Sequence, residues 1–198
     1  MCVDYGAGNL KSIVNGFKKI GVRLEVADNP SRFGDAEGII LPGVGSFGNA
    51  MEKIMRFAPI IKEKVDEGTP FLGVCLGAQV IFDASDESPG VKGLGLLTGS
   101  CKRFGSGLKV PHMGWNRVGK KTDTPLLEGI EDGQYYYFVH SYYVKPGSKD
   151  VVSGQTEYGI TFPSVISADN INATQFHPEK SGENGLKILK NFAGMCKR

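Results

Sequence analysis

Phe71-Leu-Gly-Val-Cys75-Leu-Gly-Ala-Gln79 is the most informative stretch of the chain. Pro70–Val74 reads as a strand that is apolar throughout, as one buried on both faces should be. A helix is expected to begin near Leu76. Between the two lies the pattern Gly73-x-Cys75-x-Gly77. With serine in place of cysteine this is the nucleophile elbow, a sharp strand-to-helix turn that pushes the nucleophile out at the end of a sheet. A helix N-terminus behind a sulfur favours thiolate, the attacking form. The amides after the turn, Leu76 first, are placed to stabilise an oxyanion. Free cysteine is more often a small buried hydrophobe. Cys2, Cys101 and Cys196 are read that way, whereas the flanking glycines and the strand-to-helix setting mark Cys75 as a nucleophile.

The first half of the chain alternates short β-branched runs with helical patterns. Met1–Tyr5 is a short strand. Leu10, Ile13, Val14, Phe17 and Ile20 then recur at helical spacing, and Gly21 stops the helix in the C′ role. Val22–Val26 and Gly38–Leu41 are further strands, and Asn49–Glu67 is a helix broken at Pro59. This order predicts an α/β fold with a mostly parallel central sheet flanked by helices. From Lys92 to Thr174 strand-like runs dominate: Leu97–Phe104, His112–Val118, Tyr135–Val144, Val151–Glu157 and Thr161–Ala168. Their spacing is too short for crossover helices, so an antiparallel β extension is expected. A last helix, roughly Asn184–Met195, closes the domain.

The 198 residues suit a single domain, at roughly 100–200 residues each. The 23 basic and 21 acidic residues leave a net charge of +2, which gives no reason to expect nucleic acid or an anionic membrane as partner. Four scattered cysteines without a CxxC pair, or histidines at zinc-ligand spacing, argue against a disulfide framework and against a metal site. No apolar run approaches the roughly 18 residues of a membrane span. The start Met1-Cys2-Val3-Asp4 lacks the charged and apolar regions of a signal peptide. The expectation is a cytoplasmic protein.

A cysteine nucleophile needs a base, and the chain has three histidines. His177 lies in Gln175-Phe-His177-Pro178-Glu179, at the end of an expected strand, and the extended bias before proline sends His177 and Glu179 to one side. Cys75, His177 and Glu179 then supply nucleophile, base and orienter. His140, within an aromatic strand, reads as a packed, hydrogen-bonded imidazole. His112 suits either a partner surface or the core. Gly6-x-Gly8 with Asp28 invites a nucleotide-binding module, but Lys11 stands where the third glycine of that fingerprint belongs. Pro42-Gly-Val-Gly45 lacks the Lys-Ser/Thr ending of a phosphate loop, and its amides are placed to complete an oxyanion hole.

Gly73–Gln79 and His177–Glu179 resemble the triad class of glutamine amidotransferases, and the similarity extends over essentially the whole chain. Five segments resemble, more narrowly, the glutaminase subunits of imidazole glycerol phosphate synthase. They are Asp4-Tyr-Gly-Ala-Gly-Asn-Leu10, Leu41-Pro-Gly-Val-Gly-Ser-Phe47, Pro111-His-Met-Gly-Trp-Asn116, Tyr137-Phe-Val-His-Ser-Tyr142 and Gln175-Phe-His-Pro-Glu-Lys180. Many members of the wider class carry a Pro-Gly-Gly loop instead of Pro-Gly-Val-Gly. The resemblance implies a flavodoxin-like sheet and a glutamyl thioester on Cys75, with His177 as base and Glu179 as its orienter. It places Gly43, Gly45 and Leu76 around the reacting amide, and Gln79, Glu87, Ser141 and Tyr142 on the rest of the glutamine. It implies no cofactor.

No acceptor-activating motif remains in the chain, so the ammonia must be used elsewhere. The resemblance names a cyclase subunit of histidine biosynthesis, held in a heterodimer. It puts Asn9, His112, Met113, Trp115, Asn116, Tyr137 and Lys180 on the docking face, with Trp115 either its anchor or a core residue. The alternatives are a glutaminase serving pyridoxal phosphate or purine synthesis, and a non-catalytic nucleotide-binding module.

Overall fold

The computed structural model describes residues 1–6 and 9–196. The first half comprises β1 (Cys2–Val3), α1 (Leu10–Lys19), β2 (Val26–Ala27), β3 (Ile39–Leu41), α2 (Phe47–Ile54), α3 (Ala58–Asp66), β4 (Phe71–Val74) and α4 (Leu76–Val80). It is followed by β5 (Ala84–Ser85), β6 (Gly99–Arg103), β7 (His112–Lys120), β8 (Gln134–His140) and β9 (Tyr142–Pro146). The last part holds β10 (Val152–Tyr158), β11 (Ile160–Ala168), β12 (Ile171–Thr174) and α5 (Gly182–Met195).

Nine strands form one sheet in the order β2-β1-β3-β4-β12-β11-β10-β7-β8. The first five are mutually parallel, in the order of flavodoxin-like sheets. From β12 onward every pairing is antiparallel. A second sheet, β5-β6-β9, packs beside it. The α/β architecture with its antiparallel extension is therefore as the sequence implies. Successive side chains of β3 enter opposite faces, as a strand requires. Ile39 and Leu41 join Phe47, Met51 and Ile61 of α2 and α3, while Ile40 joins Ile13 and Phe17 of α1 and Leu189 and Phe192 of α5. Two apolar layers thus sandwich the parallel strands.

The structure changes several expected elements. β1 and β2 are two residues each, and a ladder on the sheet's edge extends no further than its partner. The helix of 49–67 breaks before Pro59 and not at it. Pro59 occupies the opening turn of α3, where its missing N–H would have had no helical partner. Gly21 follows α1 at φ +75°, the left-handed conformation of a C′ residue. The run Tyr135–Val144 divides at Ser141, with β8 in the large sheet and β9 in the small one. β12, assigned by sequence to the antiparallel region, is fully buried and pairs in parallel with β4, Val74 opposite Thr174. Among the described residues no helix is long and apolar enough to cross a membrane.

The elbow glycines are explained by contact distance. A Cβ on Gly77 would stand 1.8 Å from the carbonyl oxygen of Leu41, and one on Gly73 would stand 2.6 Å from the carbonyl oxygen of Gly77. Backbone atoms cannot yield as the end of a flexible side chain can. Gly77→Ala is expected to cost about 3 kcal/mol, the upper end of overpacking. Gly34→Ala, where a Cβ meets nothing within 4 Å, should stay within about 0.5 kcal/mol. Urea unfolding of the two variants checks this, and equal midpoints would contradict it.

Candidate active site

Cys75 links β4 to α4 at φ +53° and ψ −104°, a conformation that costs a residue with a side chain energy and that is typical of functional turns. Its N–H donates to the Thr174 carbonyl at 2.8 Å, so the turn is tied to the end of β12. His177 follows three residues later. Its backbone N–H donates to the Tyr137 carbonyl at 2.9 Å, and its carbonyl accepts from the Ser181 hydroxyl at 2.6 Å.

The imidazole is held by Glu179, with Nδ1 2.8 Å from Oε1 and both side chains essentially without solvent contact. A carboxylate only accepts, so Nδ1 carries a hydrogen in either charge state, and Nε2 is the nitrogen that gains and loses the second proton. Nε2 is buried without a hydrogen-bond partner in this resting geometry, and Cys75 is the neighbour that acts on the ring. Burial alone would lower the His177 pKa. The adjacent Cys75 sulfur and then Glu179 outweigh it and raise the pKa above the usual histidine value.

Asn9 adds a second donor to the same carboxylate, its Nδ2 reaching Glu179 Oε1. It sits at φ +79°, a conformation asparagine tolerates better than most residues. Asn9, expected on the docking face, is half-buried with its side-chain amide bonded to this carboxylate. Ala7 and Gly8 of the Gly6-x-Gly8 loop lie outside the described residues.

A cleft of ≈ 290 Å³ opens onto Cys75. Gly45, Leu76, Gln79, Glu87, Ser141 and Tyr142, all expected around glutamine, line it. Gly43 does not. Its backbone is wedged beneath the turn, and its carbonyl accepts the Leu76 N–H at 3.4 Å. Glu87 accepts the Phe47 N–H at 2.7 Å, so it also caps the start of α2. Gln175 escaped the sequence reading although it stands in the histidine motif. It is buried, with Nε2 3.9 Å from Cys75 Sγ. Val139 was missed too. Its carbonyl lies 3.7 Å from the same sulfur.

The docking set separates by strand alternation. His112 is buried and corrected to a core residue, because it shares the inner face of β7 with Asn116, which is bonded to it. Met113 and Trp115 occupy the opposite face at 62% and 56% exposure. Tyr137 stands opposite Trp115 with its ring 6.3 Å away, Tyr135 is exposed beside them, and Lys180 is exposed.

Residues 1–195 match the family described as glutamine amidotransferase class-I. Subunit HisH of imidazole glycerol phosphate synthase from Methanothermobacter thermautotrophicus is 52% identical over 190 residues, covering 96% of this chain and 95% of that protein. The same subunit from Methanocaldococcus jannaschii is 50% identical over 190 residues, with 96% of each chain covered. A solved structure described as a glutamine amidotransferase shares the fold at TM-score 0.79 and 17% identity, covering 99% of this chain and 98% of that one. PurLQS from Thermotoga maritima does so at TM-score 0.77 and 20% identity, covering 98% and 96%. The chain belongs to the class-I glutamine amidotransferases. Within that class it belongs to the HisH subunits of imidazole glycerol phosphate synthase.

Because Glu179 helps to raise the His177 pKa, Glu179→Gln should move the NMR titration of that imidazole to lower pH. A titration that stays in place or moves upward would contradict the pairing.

Proposed function

We infer that the chain, acting as one glutamine amidotransferase domain, hydrolyses glutamine and passes the ammonia to a cyclase subunit in histidine biosynthesis. The observation that carries this reading is the buried His177–Glu179 pair beside a cysteine held on a left-handed turn. His177 Nε2 takes the thiol proton, and the sulfur attacks the side-chain amide carbon of glutamine. The tetrahedral intermediate collapses as the imidazolium returns that proton to the leaving nitrogen, which departs as ammonia. Water, deprotonated by His177 Nε2, then attacks the glutamyl thioester, and glutamate leaves as the imidazolium returns that proton to the sulfur. Glu179 keeps the ring in one tautomer and steadies its charge.

The oxyanion needs N–H donors, and Leu76 supplies one only when it is released from Gly43. Rotation of the Gly43–Val44 peptide would remove the obstructing carbonyl and turn an N–H toward the same space. The glycines at 43 and 45 suit such a movement, Gly45 already at φ +107°. The four cysteines are free, as the reducing cytoplasm would keep a nucleophilic thiol.

Exposed Met113, Trp115 and Tyr135, with half-buried Tyr137, form an apolar strip on the same sheet face as Val139, which lines the cleft. Such a strip, with an aromatic centre, suits the cyclase as partner and places it near the point of ammonia release. There ammonia would be joined to the cyclase's substrate to give imidazole glycerol phosphate and aminoimidazole carboxamide ribotide.

Glutamine hydrolysis measured with the cyclase present should vanish in Cys75→Ala, and survival of turnover would overturn the thioester mechanism. Trp115→Ala should raise the Kd for the cyclase at least about tenfold, or about 1.4 kcal/mol, while leaving the fold intact. An unchanged Kd would remove Trp115 from the interface.

A further inference from the structure

His112 and His140 are buried near the cleft and take no part in the steps above. They stand in register across β7 and β8, with His112 Nδ1 3.0 Å from His140 Nε2. The placement of protons between them is determined. His140 Nδ1 lies 2.8 Å from the Tyr142 carbonyl oxygen, which only accepts, so Nδ1 carries a hydrogen. In a neutral ring Nε2 is then an acceptor, and His112 Nδ1 must donate to it. His112 Nε2 in turn accepts from Asn116 Nδ2 at 3.2 Å. The remaining Asn116 N–H donates to the Glu157 carbonyl at 2.9 Å, and its Oδ1 accepts the Arg117 N–H at 2.8 Å.

The surroundings keep both rings uncharged. His112 stacks on Tyr158 and Phe138 with centroids 4.1 and 4.9 Å away, and Phe104 and Phe162 pack against both imidazoles. Burial pushes the pKa of His112 down to about 4 and that of His140 down to about 3. A proton added to either ring would set N–H against N–H.

The chain of hydrogen bonds continues into the cleft. The Tyr142 carbonyl also accepts from Gln79 Nε2 at 2.8 Å, and the second hydrogen of that nitrogen goes to Gln175 Oε1 at 3.2 Å. Both hydrogens being used, Oε1 is the atom Gln79 has left for the cleft it lines. We propose that the His112–His140 pair is a positioning device for the substrate: its fixed proton order pins the Tyr142 carbonyl, which orients the Gln79 amide so that Oε1 accepts from the N–H groups of glutamine. A flipped Gln79 would meet those donors with donors of its own. The proposal rests on the glutaminase reading, and it assigns the pair to binding and not to bond breaking.

Two substitutions separate hydrogen bonding from packing. His112→Phe keeps a stacking ring and loses the donor. His112→Asn loses the ring and keeps an amide nitrogen near the position of Nδ1. In hydrolysis assays with the cyclase present, His112→Phe should raise KM for glutamine about tenfold with kcat within about twofold. His112→Asn should hold KM within about threefold even though it melts at lower temperature. Long-range proton–nitrogen NMR of the parent at neutral pH should show both imidazoles neutral and protonated on Nδ1. The proposal is overturned by a parental KM in His112→Phe, by an equal rise in His112→Asn, or by either ring protonated on Nε2. A parent that does not hydrolyse glutamine overturns the glutaminase reading itself, whereas an active parent with any of those three results overturns the proposal alone.

Discussion

The backbone of α4 touches the backbone of β3 at Gly77, where the Leu41 carbonyl leaves no room for a side chain. How deeply the short helix tucks under the strand ends follows from that contact, and with it the direction in which the turn at residue 75 points. Gly43 is caught in the same junction: a Cβ there would come within 2.7 Å of Leu76 and 2.8 Å of the Tyr5 hydroxyl. Tyr5 donates that hydroxyl hydrogen to the Pro42 carbonyl at 3.0 Å, so the loops after β1 and β3 are joined above the sheet. The site therefore lies beyond the carboxyl ends of the parallel strands, beside the point where strand order reverses, as open α/β sheets usually place it. Nucleophile, oxyanion donors and cleft all take their positions from this close packing of main chain.

The three buried histidines have their pKa values moved in opposite directions by their neighbours. His177 has a carboxylate on one nitrogen and a sulfur near the other, so its protonated form is favoured despite burial. His112 and His140 have each other, a carbonyl, an amide and a wall of aromatic rings, and the neutral form wins because desolvation outweighs the bond from His140 to the Tyr142 carbonyl. One region thus contains an imidazole able to gain and lose a proton and two whose protons are immobile. The first suits chemistry, and the others suit fixed geometry.

The parallel half of the fold was legible because buried strands leave continuous apolar runs and the helices between them keep their period. The elbow was legible too, although the reason for its glycines differs from the one the motif suggests. Neither Gly73 nor Gly77 takes a positive φ; Cys75 does, and the glycines make room. The end of β8 was not legible, since β-rich alternation continues through Ser141 while the chain changes sheets. The docking set was read as one face from Pro111-His-Met-Gly-Trp-Asn116, but a strand sends alternate residues to opposite sides. His112 and Asn116 had to part from Met113 and Trp115, and the two-residue period was available in the sequence. Asn9 against Glu179 and Gln175 against Cys75 join positions far apart in the chain, and local pattern carries no trace of such pairs.

The neighbours β4 and β12 are separated by about half the polypeptide, and their pairing brings the sulfur to its imidazole. During synthesis the ribosome must therefore release nearly the whole chain before the two can meet. A nascent or prematurely terminated product ending before β12 would carry the thiol without His177 and Glu179. Such fragments would be unable to waste cellular glutamine, so competence arrives only once β12 and His177 have been made.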